Sequence, residues 1–409
     1  MNIVTERPLA RLLDPRGGLD SLVRLLVSEG HRVLGPVVRE GGIDYAEVSC
    51  GDDMPTGLTV EQGPGRWRQH TGDDGSRFGW TPGAASWKQH VFPPVQEVLR
   101  VRRTDGSFAV TDPPAQSRPL ALIAARDCEL RALGILDRVF ADATHPDPRY
   151  TARREGTFVV AVTCGVPSAT CWCTSMGGSP QPQSGYDIRL TELDGGESHW
   201  LLAEAGTTRG ADVLESLPGL DASEADRSSA DRVVEAAVAA MDIRLPGEQL
   251  PVLLAGTDTS PHWDRIAERC LSCGNCTMVC PTCFCSTYVD TTSLDTTPVD
   301  SAELVREQHW VSCFQLDHSY LTGGAVRATI ADRYRQWLLH KLQTWPAQFS
   351  TVGCVGCGRC TTWCPAGIDL VAEAVAPRRP HFDVPDQQVY TDTGRGLFPA
   401  PTPDARAAV

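Results

Sequence analysis

Apolar positions along this chain switch between two spacings, and the switches mark its elements. Near the start, Leu19 to Val27 repeats at helical intervals, while Val33 to Val38 and Ile43 to Val48 have the length and β-branched content of short strands. Glycine and proline then punctuate a loop-rich stretch, in which Trp87-Lys88-Gln89-His90-Val91-Phe92-Pro93-Pro94 has no evident physical reason. Leu120 to Ala125 and Phe158 to Thr163 are continuous apolar runs of buried-strand length, and between them Leu130, Leu133, Ile135, Leu136, Val139 and Phe140 fall mostly on one helical face. That order predicts a βαβ unit with parallel strands and a right-handed crossover. Tyr186 to Leu193 and His199 to Glu204 alternate about Asp194-Gly195-Gly196-Glu197, which predicts a hairpin. Residues 211–230, rich in Ser, Asp, Glu and Gly, read as an exposed linker into an alanine-rich helix near Val233 to Met241. Ser260-Pro261 supplies an N-cap and first-turn proline for a short helix, Trp263 to Arg269. Val326, Ile330, Tyr334, Trp337, Leu338, Leu342 and Trp345 then keep helical periodicity over about five turns, with Arg327, Arg333, Arg335 and Lys341 expected on the solvated face. Past Val375 periodicity fades into a Pro-, Asp-, Arg- and Ala-rich tail.

Sixteen cysteines change this picture. Cys270-Leu-Ser-Cys273-Gly-Asn-Cys276-Thr-Met-Val-Cys280-Pro281 recurs as Cys354-Val-Gly-Cys357-Gly-Arg-Cys360-Thr-Thr-Trp-Cys364-Pro365. Each copy has the C-x2-C-x2-C-x3-C-P spacing that wraps a cubane [4Fe–4S] cluster, in which the Cys before proline ligates the neighbouring cluster. One copy alone is compatible with zinc; two copies with proline in register point to paired cubanes. The crossing assigns Cys270, Cys273, Cys276 and Cys364 to one cluster and Cys354, Cys357, Cys360 and Cys280 to the other. The 73 residues 281–353 between the copies exceed the compact bacterial ferredoxin arrangement, and their helical periodicity predicts an all-helical cluster domain. The expected fold is therefore α+β: an α/β domain with a βαβ core over 1–210, a linker and helix over 211–258, a helical two-cluster ferredoxin-type domain over 259–374, and a disordered tail over 375–409.

A third site follows from the topology. Cys128 comes just after the first strand of the βαβ unit and Cys164 just after the second, so both thiols belong on the carboxyl rim, where parallel sheets place ligands. Cys171-Trp172-Cys173 is close enough to fold back over that rim. These four residues read as a third [4Fe–4S] site, with buried thiols plus a Cys171–Cys173 redox pair, or zinc, as the alternatives. Cys283 and Cys285 are expected to pack against a cluster, and Cys313 and Cys50 to be ordinary thiols.

Composition mostly excludes. A formal charge of −14 over 409 residues argues against a nucleic-acid partner. No segment approaches the roughly 18 to 20 apolar residues that span a bilayer, and the first residues lack an apolar signal core, so a cytoplasmic protein is expected. In that compartment thiols stay reduced, which favours metal over disulfides. Lys88 and Lys341 are the only lysines, a bias that suggests no function by itself. No G-x-G-x-x-G follows a strand, no Walker motif occurs, and nothing resembles a hydrolytic triad, so no catalytic residue is assigned.

Arg126 through Asp137, Cys171 through Gly177, Cys270 through Cys285, Tyr334 through Trp337 and Gly353 through Asp369, taken in order, resemble the family that contains the sulfhydrogenase beta subunit together with the corresponding iron–sulfur subunit of anaerobic sulfite reductase. The likeness covers most of residues 30 to 372. It departs at Arg126-Asp127-Cys128, where such members usually show arginine, proline, cysteine. The resemblance implies an iron–sulfur subunit that relays electrons between the catalytic subunits of a [NiFe] hydrogenase and an NAD(P)H-oxidising flavoprotein subunit. The same relay in a sulfite reductase is the alternative, and a stand-alone iron–sulfur enzyme acting on sulfur compounds is the rival of another class.

Overall fold

A computed structural model describes residues 8–72, 75–104, 107–113, 118–142, 144–194, 198–243, 245, 247–292 and 303–378. The tip of the predicted hairpin, 195–197, and nearly all of the predicted tail lie outside them. The two apolar runs form parallel strands, Leu120–Ala125 and Phe158–Val162, joined through the helix Asp127–Phe140. They sit at the centre of an eight-stranded mixed sheet with the order Leu220–Asp221, Ala10–Leu13, His199–Ala205, Ile188–Asp194, Phe158–Val162, Leu120–Ala125, Arg32–Arg39, Gly42–Glu47. The four strands from Ile188–Asp194 to Arg32–Arg39 are mutually parallel, and antiparallel strands flank them. Every residue of the two central strands is buried, which is why they read as continuous apolar runs.

The all-helical expectation for the C-terminal domain is wrong. Ser286–Thr292 and Glu303–Trp310 are strands, and they join Val95–Thr104 and Ser107–Thr111 from the N-terminal half in one antiparallel four-stranded sheet. The helical repeat was real but belongs to the later part of the 281–353 insert. The earlier part is rich in Thr and Val, residues that favour a pleated surface. A two-stranded hairpin is marginal alone, and it gains the two further strands from the other half of the chain.

The presumed linker is also ordered. Thr208–Ser216 and Glu224–Ala239 are helices, and the polar residues that suggested a linker include their caps: Thr207 Oγ1 accepts from Gly210 N at 3.1 Å, and Ser223 forms a capping box with Asp226. The predicted five-turn helix is Ile330–Leu339, a π-helical turn His340–Thr344, and Trp345–Phe349. Its inner face, with Tyr334, Trp337, Leu338 and Leu342, builds a second core that also takes in Trp172 from the N-terminal half.

Candidate metal centres

The two cysteine motifs fold as near copies. Backbone φ is positive at matched places, Ser272 (51°) and Gly274 (75°) in the first loop, Gly356 (70°) and Gly358 (74°) in the second. In each, the N–H of the left-handed residue donates to the first cysteine, Ser272 N to Cys270 Sγ and Gly356 N to Cys354 Sγ, both at 3.4 Å. One-turn helices, Asn275–Met278 and Arg359–Thr362, then carry the third cysteines and pack on each other.

Cys270, Cys273, Cys276 and Cys364 line one cavity, with Cys360, Tyr334 and Trp337 in its wall. It contains about 440 Å³ of space between atoms, part of it open to solvent. Cys280 is not among its lining residues, and its thiol is near enough to Cys354, Cys357 and Cys360 to act on each of them electrostatically. Burial pushes the thiols of Cys276 and Cys360 well above their ordinary range and that of Cys354 up to about 12. The protein alone therefore holds these groups neutral, and metal binding must displace their protons.

Cys128, Cys164, Cys171 and Cys173 line a third cavity of about 400 Å³, together with Arg126 and with Cys357 of the second motif. The local backbone explains the convergence. A bulge between Ile123 and Ala125, with Ala124 at φ 70°, shifts the register before the last pair, Ala125 with Ala161, and re-aims the residues that follow. Buried Arg126 then donates to Cys164 Sγ at 2.9 Å and to the Trp80 carbonyl. The loop with Cys171 and Cys173 is pinned by Trp172 N to Gly356 O, 2.7 Å. Burial also pushes the Cys128 and Cys164 thiols up.

The donor chemistry of all three places, soft sulfur in largely apolar walls, fits iron–sulfur clusters. An orphaned polar atom agrees. Arg359 is buried beside the thiols of Cys357 and Cys128, pairs with Glu129 at 2.7 Å, and leaves Nη1 with no hydrogen-bond partner among the described residues. Within those residues no three His, Cys, Asp or Glu side chains converge on a point that would hold a single metal ion.

Several neighbours were missed in the sequence. Lys341 and Arg333, expected on a solvated face, are buried. The unexplained Trp87 to Pro94 segment places Trp87 4.0 Å from the Tyr45 ring, centre to centre, and sends Lys88 to the carbonyls of Cys280 and Cys283. The Cys283 thiol is in hydrogen-bonding contact with Cys280, and Cys285 with both Cys313 and His318, so Cys313, expected to be an ordinary thiol, has a thiol partner. The only sequence signal for the lysines was their scarcity. Cys50 stands apart, at the N-cap of the short turn Gly51–Asp53.

A family profile described as a 4Fe-4S dicluster domain matches residues 269–368, which contain both motifs. The chain is 33% identical over 289 residues to the sulfhydrogenase 2 subunit beta of Pyrococcus furiosus, covering 69% of this chain and 81% of that protein. No solved structure matches the chain. With its two cluster motifs in place and most of its length aligned, the chain belongs to the sulfhydrogenase beta subunit family of iron–sulfur electron-transfer proteins.

Proposed function

We propose that this chain is the relay subunit of a hydrogenase complex, passing electrons between [NiFe] catalytic subunits and an NAD(P)H-oxidising flavoprotein subunit. The name of the Pyrococcus relative favours a hydrogenase over a sulfite reductase partner. One observation carries the reading. The three cysteine-lined places are contiguous, since Cys360 of the second motif walls the Cys270 cavity and Cys357 walls the Cys128 cavity. Contiguous sites suit a wire.

In this reading Cys270, Cys273, Cys276 and Cys364 hold one [4Fe–4S] cluster, Cys354, Cys357, Cys360 and Cys280 a second, and Cys128, Cys164, Cys171 and Cys173 a third. Bound there, such clusters supply one-electron transfer. The chain's own residues fix the thiols, exclude water through Trp172, Tyr334 and Trp337, and shape the local field through Arg126 and Arg359.

Iron analysis of the anaerobically isolated full chain tests this. About 12 iron atoms are expected, falling to about 8 in Cys171→Ser, since each cubane holds four. In Cys280→Ala the electron paramagnetic resonance signal of the Cys354 cluster should go while that of the Cys270 cluster stays. About 8 iron in the unaltered chain, unchanged by Cys171→Ser, would rule out the third cluster. Loss of only the Cys270 signal in Cys280→Ala would refute the crossing.

A further inference from the structure

Both lysines of the chain are buried, at 3% and 2% exposure, and both reach the same loop. Lys341 lies in the π-helical turn His340–Thr344, a local distortion often found at functional places. Its Nζ donates to Cys280 Sγ at 3.3 Å, Thr282 Oγ1 at 2.9 Å and Gly353 O at 2.8 Å, and its carbonyl accepts from Gly353 N at 2.8 Å. Lys88 donates to Cys280 O at 2.9 Å and Cys283 O at 3.0 Å, with its ammonium 3.7 Å from the centre of the Trp310 ring. None of these partners is a carboxylate. A buried ammonium needs a counter-charge, and the sulfur of Cys280, 3.3 Å from Lys341 Nζ, is the ligand group placed to supply it once metal is bound.

Among the described residues the other motif has no such lysine contact. Cys270 and Cys364 accept backbone N–H groups, from Ser272 and Ile368, at 3.4 Å each, and Arg333 donates to the Ser272 hydroxyl, 3.2 Å away. Near the second motif Arg359 is already matched by Glu129. Arginines act on both motifs, Arg333 on Cys270 and Arg359 on Cys357, and among the described residues a direct lysine contact to a motif sulfur is found at Cys280.

We propose that Lys341 makes the cluster held by Cys354, Cys357, Cys360 and Cys280 the higher-potential member of the pair, so that a shared electron rests there. This inference depends on the two-cluster reading above. Positive charge and hydrogen bonds to cluster sulfurs stabilise the reduced, more negative state. Solvent acts the other way, because Cys273 of the first motif is exposed and water also stabilises the reduced form. The ammonium outweighs it because it touches a ligand sulfur in dry surroundings, where a charge acts through a far lower effective dielectric than across water.

A redox titration of the full chain followed by electron paramagnetic resonance tests this, with Cys273→Ser marking the Cys270 cluster. The two motif clusters are expected to give two midpoints separated by at least a tenfold equilibrium ratio, which is about 59 mV for one electron, the higher of these two untouched by Cys273→Ser, while any signal lost in Cys171→Ser is assigned to the Cys128 site and set aside. Lys341→Met should move that higher midpoint down by at least tenfold in ratio and leave the other in place, while Lys341→Arg keeps most of the separation. A merely structural lysine would leave both midpoints where they are, and that result overturns the proposal. Should Lys341→Met lose its cluster, the unaltered chain decides: coincident midpoints, or a higher potential at the Cys270 site, defeat the inference. Absence of iron from both motifs of the unaltered chain would instead defeat the two-cluster reading.

Discussion

Cys285 shows how far surroundings can move one side chain. The Cys313 thiol donates to it and the His318 ring lies against it, and together they overcome burial and hold Cys285 down to about 4. Cys313, donating to that thiolate, is pushed up. The sign follows from linkage: an acid whose folded value lies below its unfolded one adds stability that is complete above the unfolded value, near 9, and is lost as pH falls through about 4. The thiolate is also the nucleophile. Iodoacetamide at pH 6 should therefore modify Cys285 ahead of Cys50, and His318→Ala should slow that reaction severalfold, as read by peptide mass spectrometry. Equal labelling of the two cysteines would count against the ionised form.

Among elements, the second motif and the Cys171 loop are held together by missing side chains. A Cβ on Gly356 would come within 2.7 Å of the Trp172 backbone, and one on Gly358 within 2.4 Å of Thr170 O, in both cases at positive φ. Gly356→Ala should cost about 2–5 kcal/mol, combining left-handed strain of about 1–2 kcal/mol with overpacking of about 1–3 kcal/mol. Gly41→Ala, also at positive φ but with nothing within 4 Å, should cost only the strain. Denaturant midpoints of the two variants separate the terms, and equal losses would show that the close approach is unimportant. The sequence revealed neither contact. It did carry the βαβ order and the convergence of Cys128, Cys164, Cys171 and Cys173 on one cavity, because apolar runs and strand-end positions are local signals. What stayed hidden was long-range. The pairing of Glu303–Trp310 with Val95–Thr104, and the reach of Lys88 to Cys280, join residues about 200 apart whose chemistry is ordinary at each end. Buried charge was misread for the same reason: Lys341 and Arg333 look like a solvated face until their partners are in place.

For the whole molecule, these cross-connections blur the division between an N-terminal sheet unit and a C-terminal cluster unit. The four-stranded sheet takes two strands from each half, Trp172 lies in the core around the first motif, and Glu129 meets Arg359 in a buried ion pair. Calorimetry of the iron-loaded chain should therefore give one cooperative transition. Two well-separated transitions, one without iron release, would mean that the halves unfold independently. The burial of both lysines has a further consequence, at the level of surface reactivity. Apart from a chain terminus, the folded protein offers solvent no primary amine, so every cation with which it can meet a partner is arginine or histidine. An amine-directed reagent thus finds the intact chain nearly inert, and its uptake at Lys341 reports that the wall beside Cys280 has opened.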